Sequence, residues 1–426
     1  MAGDRTAPRM EKTTPGAAAA TGEEAQEVFA FRPVAAEVEG QPDLNAERDE
    51  GAGEEKPGEK RHCVWPCHPA LLSTSGVDSV LRSMIAYAEE TTMPNLTVRE
   101  RFRRTMRFEP VDRLPVIEWA PWWREKTIAR WRQEGLPEHL QTNWEIGAFF
   151  GLDDHRQCWM RTVWPGAEID GTVTDAVSYE RCLPFLYPAG LAGSPYPVET
   201  LREWAAIQEK GHTFVWLTLE GAFWFPRRLF GIERHFYAFY DEPELMERVI
   251  SDLAAYCART ISEFWSVCPP EFVMFTEDMS YNHGPMLSKS LFDRFIAPFY
   301  RRVVPEIERR GSFVIVDSDG DITQMVPWFA EVGVHGFLPL ERQAGVDIGR
   351  LREISPRCRF IGHFDKMVMH RGQEAVRREF ERLLPVMRQG GYVASVDHQT
   401  PPEVSLEDYR QYVRLLKEYC RKAGAG

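Results

Sequence analysis

The sequence has no long apolar run, few cysteines and no excess of positive charge. No stretch of its 426 residues approaches the roughly 18 apolar residues that a membrane-spanning helix needs. The first 30 residues have no apolar core of the kind found in a signal peptide. The formal charge of −13 makes nucleic acid or an anionic membrane surface an unfavourable partner. We therefore expect a cytoplasmic protein that acts on a small-molecule substrate.

Eight cysteines are spread along the chain, at positions 63, 67, 158, 182, 257, 268, 358 and 420. This is far below the cysteine density of a small disulfide-linked scaffold, so we expect reduced thiols. Cys63, Cys67 and His68 suggest a metal site, but no second pair of ligands follows at zinc-finger spacing. Unpaired cysteines in a linker are the better explanation.

The first 62 residues differ in composition from the rest of the chain. They are rich in Ala, Glu, Gly and Pro, and they contain 14 acidic and 8 basic side chains, a net charge of −6. A segment with so few large apolar residues cannot bury enough surface to offset its ordering entropy. We predict a disordered acidic tail over 1–62, a linker with one short helix (77–90) over 63–92, and a folded body over 93–426.

In the folded body, short apolar segments alternate with amphipathic helical segments, as is typical of βα units. The predicted strands are 114–118, 214–219, 272–275, 313–316, 336–340, 359–362 and 392–396, and the clearest predicted helices are 243–264, 288–309, 374–388 and 406–422. Prolines and glycines interrupt the pattern in 140–210, where we place no strand. This alternation predicts an α/β fold, a single (β/α)8 TIM-type barrel, rather than a doubly wound sheet.

The segment 314–322 reads Val-Ile-Val-Asp-Ser-Asp-Gly-Asp-Ile, a buried strand that ends in carboxylates. Asp317 and Asp319 point to the same side of an extended segment, because side chains alternate. Two such carboxylates repel each other unless a proton, a cation or a cationic substrate lies between them. An exposed acidic turn is the alternative, since Asp and Gly are common turn residues.

Ionisable or aromatic residues follow almost every predicted strand. Because the carboxyl ends of the strands form the ligand-binding face of a barrel, we expect these side chains to share one site. The catalytic candidates are Asp317, Asp319, His398, Glu277 and Asp278. The substrate-binding candidates are Trp123, Arg124, Trp224, Arg227, Arg228, Tyr281, Asp365 and Asp397.

Two chemistries fit these residues. The first is a site for zinc or another divalent ion, with the ligands Asp317, Asp319, Glu341 and His398. The second is a metal-free acid–base site, where a carboxyl group with a raised pKa, or His398, protonates a carbanion or a leaving group. In either case Arg124, Arg227 and Arg228 would hold substrate carboxylates through bidentate hydrogen bonds. Surface arginines that pair with nearby glutamates are the alternative.

Several motifs follow one another along the chain. They are Arg99-Glu-Arg-Phe, Glu109-Pro-Val-Asp112-Arg-Leu-Pro-Val, Glu277-Asp-Met, Gly284-Pro-Met-Leu-Ser288, Asp319-Gly-Asp-Ile, Pro339-Leu-Glu341, Gly362-His-Phe-Asp365-Lys, Gly390-Gly-Tyr and Asp397-His398-Gln-Thr-Pro-Pro. In this order they resemble the uroporphyrinogen decarboxylase superfamily. The resemblance runs from about residue 96 to the C-terminus. It implies a (β/α)8 barrel, and a homodimer as the assembly.

The resemblance implies two activities, and the sequence departs from the pattern of both. The decarboxylases of the haem pathway bind substrate carboxylates with an Arg-Gln-Ala-Gly-Arg segment after the first strand, whereas 122–125 here read Trp-Trp-Arg-Glu. The cobalamin-linked methyltransferases hold zinc through His-x-Cys and a further Cys, and the matching positions here look like Asp317, Asp319 and His398.

We therefore predict methyl transfer from a small methylated substrate to a corrinoid on a partner protein, at a metal-assisted site. Decarboxylation of uroporphyrinogen or a related acid is the first alternative. A non-catalytic barrel that binds a tetrapyrrole or corrinoid is the second.

Overall fold

The fold is built on seven parallel strands, and a computed structural model describes residues 95–120 and 122–424. In chain order the strands are β1 (Arg156–Trp159), β2 (Val215–Glu220), β3 (Phe272–Thr276), β4 (Ser280–Tyr281), β5 (Gly284–Pro285), β6 (Phe313–Asp317), β7 (Gly336–Leu338), β8 (Arg359–Phe364) and β9 (Tyr392–Val396). The pair β4 and β5 forms a small antiparallel hairpin, and the others form one curled sheet in the order β1-β2-β3-β6-β7-β8-β9. The α/β class is thus confirmed.

Helices connect the strands of the sheet. The α-helices are Val98–Met106, Ala129–Gln133, Asn143–Phe150, Ala176–Cys182, Val198–Glu209, Trp224–Phe230, Ile232–Asp241, Pro243–Val267, Lys289–Leu291, Ala297–Arg309, Met325–Ala330, Ile348–Ile354, Gln373–Met387 and Leu406–Gly424. Short 3-10 helices are Leu183–Phe185, Arg342–Ala344 and Lys366–Arg371, and π-turns are Arg124–Ile128 and Phe292–Ile296. No helix in the described part of the chain is both long and apolar enough to cross a membrane.

Large apolar side chains fill the inside of the curled sheet. They alternate along the strands and include Phe214, Trp216, Phe272, Met274, Ile315, Leu338, Ile361 and Val393. Phe102 and Met106 of the helix Val98–Met106 join them from the amino end of the strands, where the Phe102 ring stacks 3.9 Å from that of Phe214. Burying each such side chain contributes about 1.5–3 kcal/mol. The interior of the curled sheet is therefore packed at its amino end.

The register of the sheet places the carboxyl ends of neighbouring strands side by side. Glu220 at the end of β2 lies opposite Thr276 at the end of β3, and Thr276 lies opposite Asp317 at the end of β6. The residues that follow these strands therefore meet on one face. We call this carboxyl-end face the mouth.

Six of the seven predicted strands are confirmed as β2, β3, β6, β7, β8 and β9. The prediction of a strand at 114–118 is wrong, because its backbone groups bond to other partners. The N–H of Leu114 donates to the Cys420 carbonyl at 3.0 Å, and that of Val116 donates to Asp153 Oδ2 at 2.9 Å. Pro115 between them has no N–H to donate.

The strand of the seven-stranded sheet that sequence analysis missed is β1, which lies in the irregular region 140–210, and the short hairpin strands β4 and β5 were also not predicted. The four predicted helices are present, although 288–309 is interrupted by the π-turn Phe292–Ile296. Six cysteines of the described residues are free and buried. The predicted acidic tail (1–62) and the linker (63–92) with its helix lie outside the described residues, together with Cys63 and Cys67.

Candidate active site

Seven ionisable residues from five strand ends converge at the mouth. This group, the mouth cluster, consists of Asp278, Asp317, Asp319, Glu341, Lys366, Asp397 and His398. Six of the seven were predicted from the sequence as site residues, and the structure brings these six together.

Backbone hydrogen bonds fasten the ends of β3 and β6 to each other. The N–H groups of Glu277 and Asp278 donate to the Asp317 carbonyl at 2.9 and 3.3 Å, and the Asp319 N–H donates to Asp278 Oδ1 at 3.3 Å. Asp278 has a positive φ of 42°, which is uncommon for a residue with a side chain. Three carboxylates are thus held together by the backbone, at the cost of local strain.

The crowding raises the pKa of all three carboxyl groups. Burial, and then the charge of Asp319, raises the pKa of Asp278 to about 8. Burial also raises the pKa of Asp319 to about 6, against the opposing effect of Lys366. Burial and the charges of Asp278 and Asp319 raise the pKa of Asp317 well above its ordinary value. Near neutral pH the group therefore retains protons.

A lysine supplies positive charge on the other side of the mouth cluster. Lys366 Nζ lies 3.3 Å from Asp397 Oδ1 and 3.7 Å from Glu341 Oε1. The buried Asp397 carboxylate also accepts from the backbone N–H groups of Arg342 and Lys366, at 3.0 and 3.2 Å. Asp397 therefore joins the ends of β7, β8 and β9 by hydrogen bonds and holds Lys366 in position.

His398 faces Asp319, with 3.7 Å between Nε2 and Oδ2. Burial, and then the charge of Lys366, lowers the pKa of His398 below its ordinary value. The imidazole is therefore neutral near pH 7, and the pair is not an ion pair. A neutral imidazole beside a carboxyl group can accept or relay a proton.

The predicted metal ligands do not form one coordination sphere. Asp319 and His398 approach each other, but Glu341 lies 3.7 Å from the Lys366 ammonium, and burial raises the pKa of Asp317 well above its ordinary value. Within residues 95–120 and 122–424, no three His, Cys, Asp or Glu side chains are placed to hold a metal ion. The described donors do not fit a metal, and zinc or another divalent ion stays a prediction.

Glu277 was predicted to be catalytic, and in the structure its side chain is hydrogen-bonded by its protein neighbours. Its buried carboxylate accepts from the backbone N–H groups of Ala222 and Phe223 at 3.0 and 2.6 Å, and from the Tyr300 hydroxyl at 2.5 Å. It thus caps the helix Trp224–Phe230. A Cβ at Gly221 would lie 2.3 Å from this carboxylate, so glycine is required there. These bonds give Glu277 a structural role, and its catalytic role stays a prediction.

The three predicted carboxylate-binding arginines have different surroundings. Arg228 bonds to the buried Glu220 at 2.5 Å and to Asp170 at 3.1 Å, the kind of pairing with nearby acidic side chains that was the alternative to a substrate role. Arg124 donates to the Gln141 carbonyl at 2.8 Å, away from the mouth cluster. Arg227 lies with its Cζ 5.3 Å from the Trp224 ring centre, and its charge acts on Asp278. Of the three, Arg227 is the one whose charge acts on the mouth cluster.

The remaining predicted residues, Asp365, Tyr281 and Trp123, have separate contacts of their own. Asp365 accepts from Gln343 Nε2 at 2.8 Å and from the Met367 N–H at 2.9 Å, which caps the 3-10 helix Lys366–Arg371. Tyr281 is exposed in the β4–β5 hairpin and packs against His283. The ammonium of Lys126 lies 5.7 Å from the Trp123 ring centre.

Lys366, Ser280 and Ser318 were missed as site residues. Ser318 Oγ accepts from the Met279 N–H at 3.1 Å, and Ser280 Oγ donates to the Asp319 carbonyl at 2.5 Å. These bonds fix the loop that carries the carboxylates. Lys366 lies in a motif that the sequence analysis quoted, and its position directly after Asp365 was the available signal.

Residues 219–419 match the family model described as Uroporphyrinogen decarboxylase (URO-D), and they include the whole mouth cluster. Through this segment, which is just under half of the 426 residues, the chain resembles the uroporphyrinogen decarboxylase superfamily. The resemblance expected from the sequence motifs is confirmed. No curated protein sequence matches the chain.

Among solved structures, the methyltransferase from Methanosarcina mazei matches with a TM-score of 0.58 at 16% identity, covering 76% of this chain and 99% of that one. Dispersin B matches with a TM-score of 0.33 at 10% identity, over 55% of this chain and 79% of that one. The first match shows a shared fold, and the second is too weak to support a conclusion.

Proposed function

We propose that this chain is an enzyme that transfers a methyl group from a small methylated substrate to a corrinoid, with the mouth cluster as the proton donor. The observation that supports this most directly is the crowding of Asp278, Asp317 and Asp319. Because the pKa values of Asp278 and Asp319 are raised to about 8 and about 6, a carboxyl proton is available near neutral pH. A positioned carboxylic acid accelerates proton transfer by about 10²–10⁴-fold.

The reaction needs such a proton. When the bond between the methyl carbon and its oxygen or nitrogen breaks, the electron pair of that bond stays on the heteroatom. A reduced corrinoid, carried by a partner protein, would supply the nucleophile that accepts the methyl group. A carboxyl group of Asp278 or Asp319 gives its proton to the heteroatom, and the remaining carboxylate is stabilised by Lys366 or Arg227. The methyl group thus moves to the corrinoid, the proton moves to the heteroatom, and the electron pair of the broken bond stays on the heteroatom.

The decarboxylase alternative uses the same acid in a different way, to protonate the carbanion left by loss of CO₂. A porphyrinogen would need several cations to bind its carboxylates. Arg228 is already bonded to Glu220 and Asp170, and Lys366 is already engaged by Asp397 and Glu341. This pairing favours methyl transfer over decarboxylation of a polycarboxylic acid.

We also propose that the segment 114–119 closes the curled sheet into an eight-stranded barrel. On the β9 side, the Trp119 N–H donates to Ser395 Oγ at 3.2 Å, and its indole N–H donates to the Val396 carbonyl at 2.7 Å. On the β1 side, the Val116 carbonyl accepts from the Asp153 N–H at 2.7 Å. In a closed barrel, the segment 114–119 would pair with β9 on one side and with β1 on the other. These contacts lie at those two positions, and they support a closed barrel in which one strand pairs irregularly.

The experiment is an anaerobic assay of the full chain with reduced free cobalamin and a panel of aryl methyl ethers and methylamines, followed by the absorbance of the methylated corrinoid. We expect turnover with at least one donor, and a loss of about 10²-fold or more in Asp319→Asn and Asp278→Asn. Asp293→Asn, on an exposed ion pair, is the matched control and keeps the wild-type rate.

Three outcomes contradict the proposal. Wild-type rates in both carboxylate variants would remove the acid role of the mouth cluster. Release of CO₂ from a porphyrinogen-like acid without any corrinoid would replace methyl transfer with decarboxylation. Binding of a corrinoid without turnover of any donor would favour the non-catalytic barrel.

A further inference from the structure

A second polar cavity lies at the opposite end of the sheet from the mouth. It has a volume of about 260 Å³ and is formed where β3, β6 and β8 begin. Its polar lining is Arg103, Arg107, Glu271, Glu308, His335 and Arg359. We call it the base cavity, and none of its residues contributes to the mouth cluster.

The two carboxylates of the base cavity are already engaged. Glu271 is buried and accepts from Arg99 Nε and Arg103 Nε, both at 2.6 Å. Glu308 Oε1 lies 2.9 Å from His335 Nε2. His335 Nδ1 accepts from the Val314 N–H at 3.0 Å, so the ring proton is on Nε2 and faces Glu308.

The arginines of the base cavity outnumber its carboxylates. In the described chain, neither Arg107 nor Arg359 forms an ion pair with a carboxylate. Arg359 Nε donates to the Met106 carbonyl at 2.8 Å, and its guanidinium lies 4.8 Å from the Phe313 ring centre. The two terminal nitrogens of this held guanidinium are therefore positioned to bind a ligand.

The surroundings of Arg359 disfavour the positive charge of its guanidinium as long as no anion is bound beside it. Burial lowers the pKa of Arg359, and the positive charges of Arg357 and Arg107 lower it further, while Cys358 and Glu308 act in the opposite direction. An anion in the base cavity would reverse both effects, because it would pair with the guanidinium and offset the neighbouring positive charge. This local excess of positive charge stands out in a chain with a net charge of −13.

We propose that the base cavity binds a phosphate group, as inorganic phosphate or as part of a small phosphorylated compound. Arginine forks match the geometry of phosphate oxygens and bind them bidentately. Arg359 is held by Met106 and Phe313, while the more exposed Arg107 closes over the ligand from the helix side. A volume of about 260 Å³ is enough for a phosphate group with a small substituent.

The test is isothermal titration of the full chain with phosphate and with pyrophosphate, at constant ionic strength set by chloride. We expect saturable binding of one ligand per chain. Because Arg107 is exposed, Arg107→Gln should fold normally and weaken the affinity about tenfold or more, as the loss of a charge-assisted hydrogen bond does. Arg202→Gln, on an exposed ion pair elsewhere, is the matched control and leaves the affinity unchanged.

The mouth variant Asp319→Asn separates this site from the active site. Phosphate binding to the base cavity persists in Asp319→Asn. Loss of binding in that variant, equal affinity in Arg107→Gln and wild type, or no saturable heat with either ligand would each overturn the proposal.

Discussion

The ammonium of Lys366 lies 3.3 Å from the buried carboxylate of Asp397, and the same charge lowers the pKa of Asp319. Removing it in Lys366→Met should raise the pKa of Asp319 above its value of about 6. An acid donor works only while protonated, so the rate of the proposed methyl transfer should fall as pH rises through that pKa. The pH–rate profile of Lys366→Met should therefore keep its activity to a higher pH than the wild type does.

Lys366→Met should also lose stability, because Asp397 would be a buried charge without its cation. We expect a loss of about 3 kcal/mol in the free energy of unfolding, measured by urea denaturation. Lys289→Met removes an ammonium from the partly exposed Asp293 and Glu331 and should lose less than about 1 kcal/mol. Equal losses in the two variants, or an unshifted pH–rate profile, would show that Lys366 does not tune the mouth cluster.

The sequence predicts the strands best where they are apolar and bounded by polar loops. The strand at 392–396 is predicted to the residue, whereas β1 is missed because Arg-Gln-Cys-Trp has no apolar alternation and lies among prolines and glycines. The segment 114–118 has a strand-like composition, yet its backbone bonds to Cys420 and Asp153 instead of forming a ladder. Such partners are distant along the chain, so no local pattern predicts them.

The same limit applies to the site. The spacing of Asp317 and Asp319 after a buried strand is enough to predict that they share a side, and they do lie together. It is not enough to tell a free carboxylate from one that caps a helix, as the case of Glu277 demonstrates. Whether Arg227 or Arg228 faces the cluster depends on the position of Glu220, which only the folded chain reveals.

Replacing the carboxylate of Glu277 should lower the stability of the folded protein. Both of its oxygens accept backbone N–H groups, so the amide NH₂ of Glu277→Gln would face a donor. We expect a loss of about 2–3 kcal/mol in the free energy of unfolding. Glu233→Gln, on an exposed position of the helix Ile232–Asp241, should be neutral. A Glu277→Gln protein of normal stability that has lost activity would support a catalytic role for this residue.

Asp278 predicts how stability changes with pH. Burial raises its pKa from 3.8 in the unfolded chain to about 8, so the folded state binds the proton more tightly. The stabilisation of the folded state by this tighter proton binding is therefore complete below about pH 4, and it is lost as the pH rises toward 8. The free energy of unfolding of the wild type should therefore fall between pH 5 and pH 8. In Asp278→Asn this fall should be smaller than in the wild type, by more than about 1 kcal/mol.

Urea denaturation of Asp278→Asn at the two pH values measures this difference. Asp241→Asn, at an exposed helix end, is the control and should retain the pH dependence of the wild type. A pH dependence in Asp278→Asn identical to that of the wild type would mean that Asp278 ionises normally in the folded protein.

The adjacent arginines Arg227 and Arg228 give a matched pair of substitutions. Arg228→Gln removes the cation from the buried Glu220, so we expect a loss of about 3 kcal/mol in the free energy of unfolding. Arg227→Gln should change stability by less than about 1 kcal/mol, because it leaves no buried carboxylate without its partner.

The two variants should rank in the opposite order in their effect on the mouth cluster, where Arg227→Gln should have the larger effect. The charge of Arg227 lowers the pKa of Asp278, so Arg227→Gln should raise that pKa, whereas Arg228→Gln should leave it nearly unchanged. Carboxyl titration by NMR, together with urea denaturation, measures both quantities in each variant. If Arg228→Gln shifts the Asp278 titration and Arg227→Gln does not, the assignment of the two arginines is reversed, and Arg228 would be the residue that faces the substrate.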